Sequence, residues 1–304
     1  MYVKTGRRLS AAVKWQINNN ELHMIIVADS GSTKTDWAIV GDEVRRVQSI
    51  GLNPFFFTDE ALGQTIYDAL KTVDADQVRG IYFYGSGCGL ESNKERLRVC
   101  FRRFFPKADE IVVDTDLVGA AIALFGKEKG IACILGTGAN AGIYDGKTIV
   151  KTPLSLGYML GDNGSGSVLG LELVKLYLHG FLSQEVAKDL EENYDVEYKN
   201  ILDCVYKKDR PNKYFASYSP FVAKHQDKEP IKGMLEEQFS EFFRYFILPF
   251  QKEGKLPVRI IGSVGYYYRP IIEREAAKHG IEIDKIALKP IDLLIEHHSG
   301  KKAL

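Results

Sequence analysis

Twice in this chain an apolar run, a turn of small residues and a second apolar run follow one another: IIVADSGSTKTDWAIV over residues 25–40 and GIACILGTGANAGIYDGKTIV over 130–150. The two glycine turns lie about 105 residues apart. Each unit reads as strand–turn–strand, because the apolar runs are short and rich in β-formers and the turns are made of Gly, Ser and Thr. No Pro/Gly/Ser-rich linker separates the repeats. A chain that starts the same β-rich unit twice without a linker reads as two related lobes sharing a cleft.

The rest alternates strand and helix. VQSI (47–50) predicts a third strand, TDEALGQTIYDALK (58–71) a helix, and GIYFYGSG (80–87) a strand ending in small residues. A charged amphipathic helix, ESNKERLRVCFRRFF (91–105), precedes the strand EIVVD (110–114) and the apolar helix DLVGAAIALFG (116–126). The second repeat carries a hairpin signal at Asp145–Gly146. Residues from Gly164 to about Gln251 read as mostly helical. The α/β pattern returns in PVRIIGSVG (257–265), one helix through YYYRPIIEREAAKHG, the strand IEIDKIAL and a last helix IDLLIEHH (291–298).

At 304 residues and 45% apolar, the chain has material for two real cores. Forty basic residues balance forty acidic ones, which argues against bulk attraction to nucleic acid or an anionic membrane. No apolar stretch approaches the roughly 20 residues that span a bilayer. Cys88, Cys100, Cys133 and Cys204 form no CxxC or Cys/His cluster and read as reduced thiols of a cytoplasmic protein. Residues 1–23 are basic but lack the apolar segment of a signal peptide, so they read as a disordered leader or an over-extended start.

GSTKT invites a P-loop reading, which fails. That motif needs glycine before the lysine, glycine five residues earlier and a helix after. Here Thr33 precedes Lys34, Ala28 occupies the earlier position, and a strand follows. A strand–turn–strand still admits an anion: Gly31 and the small Ser30 and Ser32 allow close backbone approach, and Ser32, Thr33 and Thr35 offer hydroxyls. Asp29, at the end of the first strand, suits a magnesium ion, which favours a carboxylate and retained waters. Gly136, Thr137 and Gly138 supply the matching second turn. Ordinary hairpin chemistry explains either turn alone, but two in equivalent places suit a polyphosphate clamp.

DSGSTKTDW (29–37), VVDTDLVGAAIA (112–123), LGTGANAGIYDG (135–146) and VRIIGSVG (258–265) resemble, in order, the phosphate-1, connecting, phosphate-2 and adenosine motifs of the sugar kinase/Hsp70/actin superfamily. GLNPFF (51–56) and LGYMLGDNGSG (156–166) are similar to the N-acetylglucosamine kinases, relatives of the 2-hydroxyacyl-CoA dehydratase activator ATPases. The resemblance implies an α/β fold of two actin-like (ribonuclease H-like) lobes with mixed sheets around a central nucleotide/sugar cleft. One lobe would span 24–115 plus a helix at about 290–300, the other 116–289.

The resemblance also implies roles. Gly31, Ser32, Thr33, Lys34, Thr35, Gly136, Thr137 and Gly138 would hold the phosphates of ATP, Asp29 would serve Mg2+, and Gly262, Ser263 and Val264 would meet the adenosine. Asp116 would be the catalytic base, and Asn53, Asp116, Asn140 and Asp162 would bind the sugar. A plainer reading stands beside each. Asp116 or Thr115 serves as a helix cap, Asn53 begins an Asn–Pro turn, and Asp162, Asn163 or Ser165 caps the next helix. Asp114 shares the parity of Asp116 along its strand, and only the motif match selects between them. The implied activity is phosphorylation of the 6-hydroxyl of an amino sugar (N-acetylglucosamine, N-acetylmuramic acid or glucosamine), with no nucleic-acid or membrane partner and a homodimer left open. The activator ATPase is the alternative, for which Cys88 in its loop is the candidate cluster ligand. In the last helix Leu293 stands where relatives would have a small residue.

Overall fold

The repeat in the sequence is a repeat of topology. The structure, a computed structural model, describes residues 23–252 and 254–300. The leader expected at 1–23 lies outside these residues except for His23.

The first sheet holds β1 (Met24–Ser30), β2 (Lys34–Val40), β3 (Val44–Ile50), β4 (Val78–Gly85) and β5 (Glu110–Thr115) in the order β3-β2-β1-β4-β5. Hairpins make β1–β2 and β2–β3 antiparallel. The crossover helices α1 (Asp59–Leu70) and α2 (Glu91–Phe104) make β1–β4 and β4–β5 parallel. After α3 (Asp116–Phe125) the pattern restarts with β6 (Gly130–Leu135), β7 (Ala139–Tyr144) and β8 (Ile149–Lys151). The second sheet is completed late in the chain and runs β10-β9-β6-β7-β8, with the same pairing senses position by position.

Between β8 and β9 lies the helical stretch: α4 (Gly157–Leu160), α5 (Gly166–Leu178), α6 (Gln184–Asn193), α7 (Tyr198–Tyr206), α8 (Pro211–Ala216), α9 (Ser219–Lys224), α10 (Ile231–Phe242), a π-helical turn and α11 (Leu248–Gln251). Then come β9 (Val258–Ile261), α12 (Ser263–Tyr267), α13 (Arg269–Lys278), β10 (Ile283–Ala287) and α14 (Ile291–Ser299). The single helix expected from Tyr266 breaks at Tyr268. Its ring is buried and its hydroxyl donates to the Ser219 carbonyl at 2.9 Å, a tertiary bond with no trace in local periodicity.

Three cores result. Outside the first sheet, Leu62, Ile66 and Leu70 of α1 and Leu97 and Phe101 of α2 meet Trp37, Ile39 and Phe83. Outside the second sheet, α5 to α13 bury an aromatic set including Phe239, Phe242 and Tyr268. Between the sheets lie α3 and α14, packed on each other and on both lobes' strands. That position explains why α3 is apolar on nearly every face: it has no solvent side. Leu293 is accepted there, partly buried against the inter-lobe core. Among the described residues no helix is long and apolar enough to cross a membrane.

Candidate active site

The first glycine turn is braced from beneath. Thr35 Oγ1 donates to the Ile50 carbonyl (3.0 Å), so the 2.8 Å contact between Ser30 and Thr35 has Ser30 donating, while Ser30 Oγ accepts from Leu52 N–H (3.0 Å). Both side chains are completely buried. Thr35 therefore anchors the turn and is not the phosphate-facing hydroxyl expected: strand alternation points it into the sheet's outer core. Gly31 closes the turn through its N–H to the Lys34 carbonyl (3.0 Å). A Cβ on Gly51 would lie 2.1 Å from the Gly31 carbonyl oxygen, so the brace and the turn fit only with glycine there. Ser32 and Thr33 stay at the surface, and Lys34 reaches Asp36 Oδ2 at 2.8 Å.

The second turn rests on the start of α5. Gly166 N–H donates to the Gly136 carbonyl (2.8 Å), and Ser167 donates to the Thr137 carbonyl through N–H (3.1 Å) and Oγ (2.6 Å). Of the three candidate caps for this helix, Ser165 is the cap, accepting from Val168 N–H. This leaves Asp162 free of that duty. It sits at φ 53 with Oδ2 3.3 Å from where a Gly138 Cβ would be, and it accepts from Ala139 N–H. Burial raises its pKa. Asn140, on β7, accepts from Ala141 N–H (2.9 Å) and faces Thr152 Oγ1 at 3.4 Å.

At the start of α3, Thr115 is the cap, accepting from Val118 N–H at 3.2 Å. Asp114 pairs with Lys94 at 2.7 Å and accepts from Thr115 N–H. Asp116 has no cation among its described partners; its Oδ1 accepts Leu117 N–H at 2.9 Å. A helix N-terminus alone would keep this carboxylate well ionised, but burial wins and pushes its pKa up to about 6, the backbone N–H groups offsetting only part. Asp29 is pushed up to about 7, first by burial, then by the charges of Asp116 and Asp36, with Lys34 opposing. The Asp116 charge thus deepens the negative potential at Asp29, which directly precedes the first glycine turn.

The loop after β4, which the sequence marked only for Cys88, contacts both the first glycine turn and Asn53. Ser86 N–H donates to the Ser30 carbonyl (2.9 Å), and Asn93 Nδ2 to the Gly87 carbonyl (2.9 Å). Gly87, at φ 81, abuts Asn53: a Cβ there would be 2.1 Å from Asn53 Oδ1. That oxygen caps the turn after it by accepting from Phe55 N–H, so the Asn–Pro turn reading holds for Oδ1. The Cys88 thiol is fully buried, and burial with the nearby Asp116 charge pushes it up to about 12. It is not the accessible loop thiol that a cluster ligand requires.

On the other side of the turns, Gly262 at φ 129 packs its Cα against the end of β6, 2.2 Å from a would-be Cβ to the Leu135 carbonyl oxygen, and donates to the Ala287 carbonyl. Ser263 is exposed, whereas the Val264 side chain is buried in the second lobe's core, which leaves only its backbone for an adenosine. Shortly after Ala287, Lys289, Ile291 and Asp292 join Asp36, Arg46 and Gln48 around a cavity of about 720 Å³. None of the expected site residues lines this cavity, and its two sides come from opposite ends of the chain.

A structure from Porphyromonas gingivalis, provisionally described as an N-acetylglucosamine kinase, is 35% identical over 91% of this chain and 99% of its own, with a TM-score of 0.85. The chain belongs to the N-acetylglucosamine kinase-like family. A second protein so described, from Chromobacterium violaceum, is 17% identical with a TM-score of 0.69 over 91% of this chain and 99% of that one. MreB 5 of Spiroplasma citri, bound to AMPPNP, is 13% identical with a TM-score of 0.56 over 91% and 95%. These two share the fold, the actin-like two-lobe ATPase architecture. No family model matches the chain, and no curated protein does. In this kinase-like fold the described residues contain no group of three or more His, Cys, Asp or Glu side chains able to hold a metal.

Proposed function

We propose that this protein is an ATP-dependent sugar kinase acting on the 6-hydroxyl of N-acetylglucosamine or a close amino sugar such as N-acetylmuramic acid or glucosamine. The observation that carries the reading is the buried carboxylate Asp29, which ends β1 directly before the first braced glycine turn and feels the charge of Asp116 at the start of α3. Membership of the kinase-like family supports it.

Phosphoryl transfer from ATP needs a phosphate cradle, an aimed acceptor and a place for its proton. Gly31, Ser32 and Thr33 on one side and Gly136, Thr137 and Gly138 on the other would form the cradle. Asp116, with no cation among the described residues and a pKa raised to about 6, is ionised at neutral pH yet basic enough to take the acceptor's proton as the γ-phosphoryl passes from ADP to the acceptor oxygen. Asn53, Asn140 and Asp162 would read acceptor hydroxyls, each already aimed by a backbone hydrogen bond.

Mg2+ fits the donors present. The site offers hard oxygens, and Asp29 carries negative potential that a cation would relieve. Asp29 would hold the ion, directly or through water, and the ion would neutralise charge on the phosphates. The alternative, an activator ATPase, is opposed by the buried Cys88. The test is product analysis by NMR after reaction with ATP, Mg2+ and N-acetylglucosamine. Phosphate on the C6 oxygen is expected; phosphate on C1 would overturn the acceptor assignment.

A further inference from the structure

The far end of the loop carrying Asn53 is held to its own lobe by an arginine. Arg96, on α2, donates to the carbonyls of Pro54 (2.7 Å) and Phe57 (2.6 Å) and pairs with Asp59 (2.5 Å). From the opposite lobe, the Arg210 guanidinium stands over the rings of Phe56 and Phe57, 5.8 Å from each centroid. This contact is separate from the α3–α14 packing that joins the lobes.

Arg210 holds its place at a backbone cost. It is left-handed, at φ 61 and ψ 55, where a residue with a Cβ is disfavoured. Its carbonyl accepts from Lys213 and Tyr214 N–H, so that shape is fixed to the start of α8. Glycine would satisfy the backbone better. The half-buried guanidinium has no ion pair among the described residues, so the two rings are what it is held against. Phe56 is 68% exposed, and its gain from this position is the cation above it.

We propose that Arg210 is a positioning residue: it latches the Asn53 loop across the cleft, so that its stacking on Phe56 and Phe57 closes the acceptor side and its release opens it. The inference rests on the kinase reading for its catalytic consequence, but not for its physical one. With the latch engaged, bound sugar is retained and water is kept from competing for the transferring phosphoryl group.

The experiment compares Arg210→Ala, Arg210→Gly, Arg210→Lys and Phe56→Leu in the full chain. With no cation over the two rings, the acceptor KM should rise by about three- to tenfold in the Ala and Gly variants, with the KM for ATP unchanged. Lys should restore part of the loss, and the ratio of ADP to sugar phosphate should climb above one. Phe56→Leu, which leaves the Phe57 ring in place, should reproduce part of the effect, and adding it to Arg210→Ala should do no further harm. Arg210→Gly should melt no lower than the parent, which separates latch loss from misfolding. Hydrogen exchange at residues 53–57 should quicken in Arg210→Ala, and this readout needs no turnover. If the parent phosphorylates no sugar, the kinase reading falls while exchange still judges the latch. Unchanged exchange and unchanged acceptor KM would overturn the latch. So would a defect confined to acceptors bearing a carboxylate, which would make Arg210 an anion reader instead.

Discussion

Replacing Asp29 by Asn should make the metal-free, nucleotide-free protein more stable, and increasingly so as pH rises. The native carboxyl titrates near 7, against 3.8 for the ordinary group. The native state thus holds this proton to a higher pH than the unfolded chain does. Stability from the protonated group is complete below about pH 4 and is lost as pH climbs through 7. About two of the roughly three units fall between pH 5 and pH 8, which at about 1.36 kcal/mol per unit is about 2–3 kcal/mol. Burial, the largest cause, is insensitive to salt, and the Asp116 charge, itself buried, is screened little, so the effect should persist at physiological ionic strength. The assay is urea unfolding of parent and variant in EDTA across that range, since their difference cancels every group they share. The variant's advantage should widen by about 2 kcal/mol from pH 5 to pH 8, and Mg2+ at pH 8 should stabilise the parent more than the variant. A difference flat to within about 0.5 kcal/mol would refute the claim that burial and neighbouring charge act on Asp29.

Three further outcomes follow from the geometry. Asp116→Ala should keep sugar binding, measured by calorimetry, while turnover falls at least about a hundredfold; retained turnover would remove Asp116 as the base. Because the Asp116 pKa is raised to about 6, kcat/KM for the sugar should decline as pH falls through that value, and a rate flat to pH 5 would contradict it. Gly170→Ala would set a Cβ 1.8 Å from the Phe215 carbonyl oxygen, forcing α5 from α8. It should cost about 1–3 kcal/mol in denaturant unfolding, and an unchanged midpoint would show that the two helices yield.

Much of the fold was legible because it rests on local pattern. Turns of small residues between β-rich runs mark β1–β2 and β6–β7, and helical spacing marks α1 and α2. What local pattern lacks is the partner supplied by distant chain. Asp114 and Asp116 share a parity, and only Lys94 on α2 distinguishes them by neutralising the first. Thr35 looks like its neighbours in GSTKT, yet Ile50 and Ser30 claim its hydroxyl. The loop after β4 gains its meaning from Asn53, which Gly87 abuts, and from Asp116, whose charge reaches Cys88, and the Arg46–Lys289 cavity joins residues from opposite ends of the chain. The raised pKa of Asp116 belongs to burial between two sheets, which no helix-start rule contains.

The most direct test of the account is transfer of phosphate from ATP to a panel of amino sugars, with ADP and sugar phosphate measured together. The account predicts one ADP per phosphorylated sugar, with N-acetylglucosamine or N-acetylmuramic acid among the acceptors. ADP released with no phosphorylated sugar from any member of the panel would contradict it.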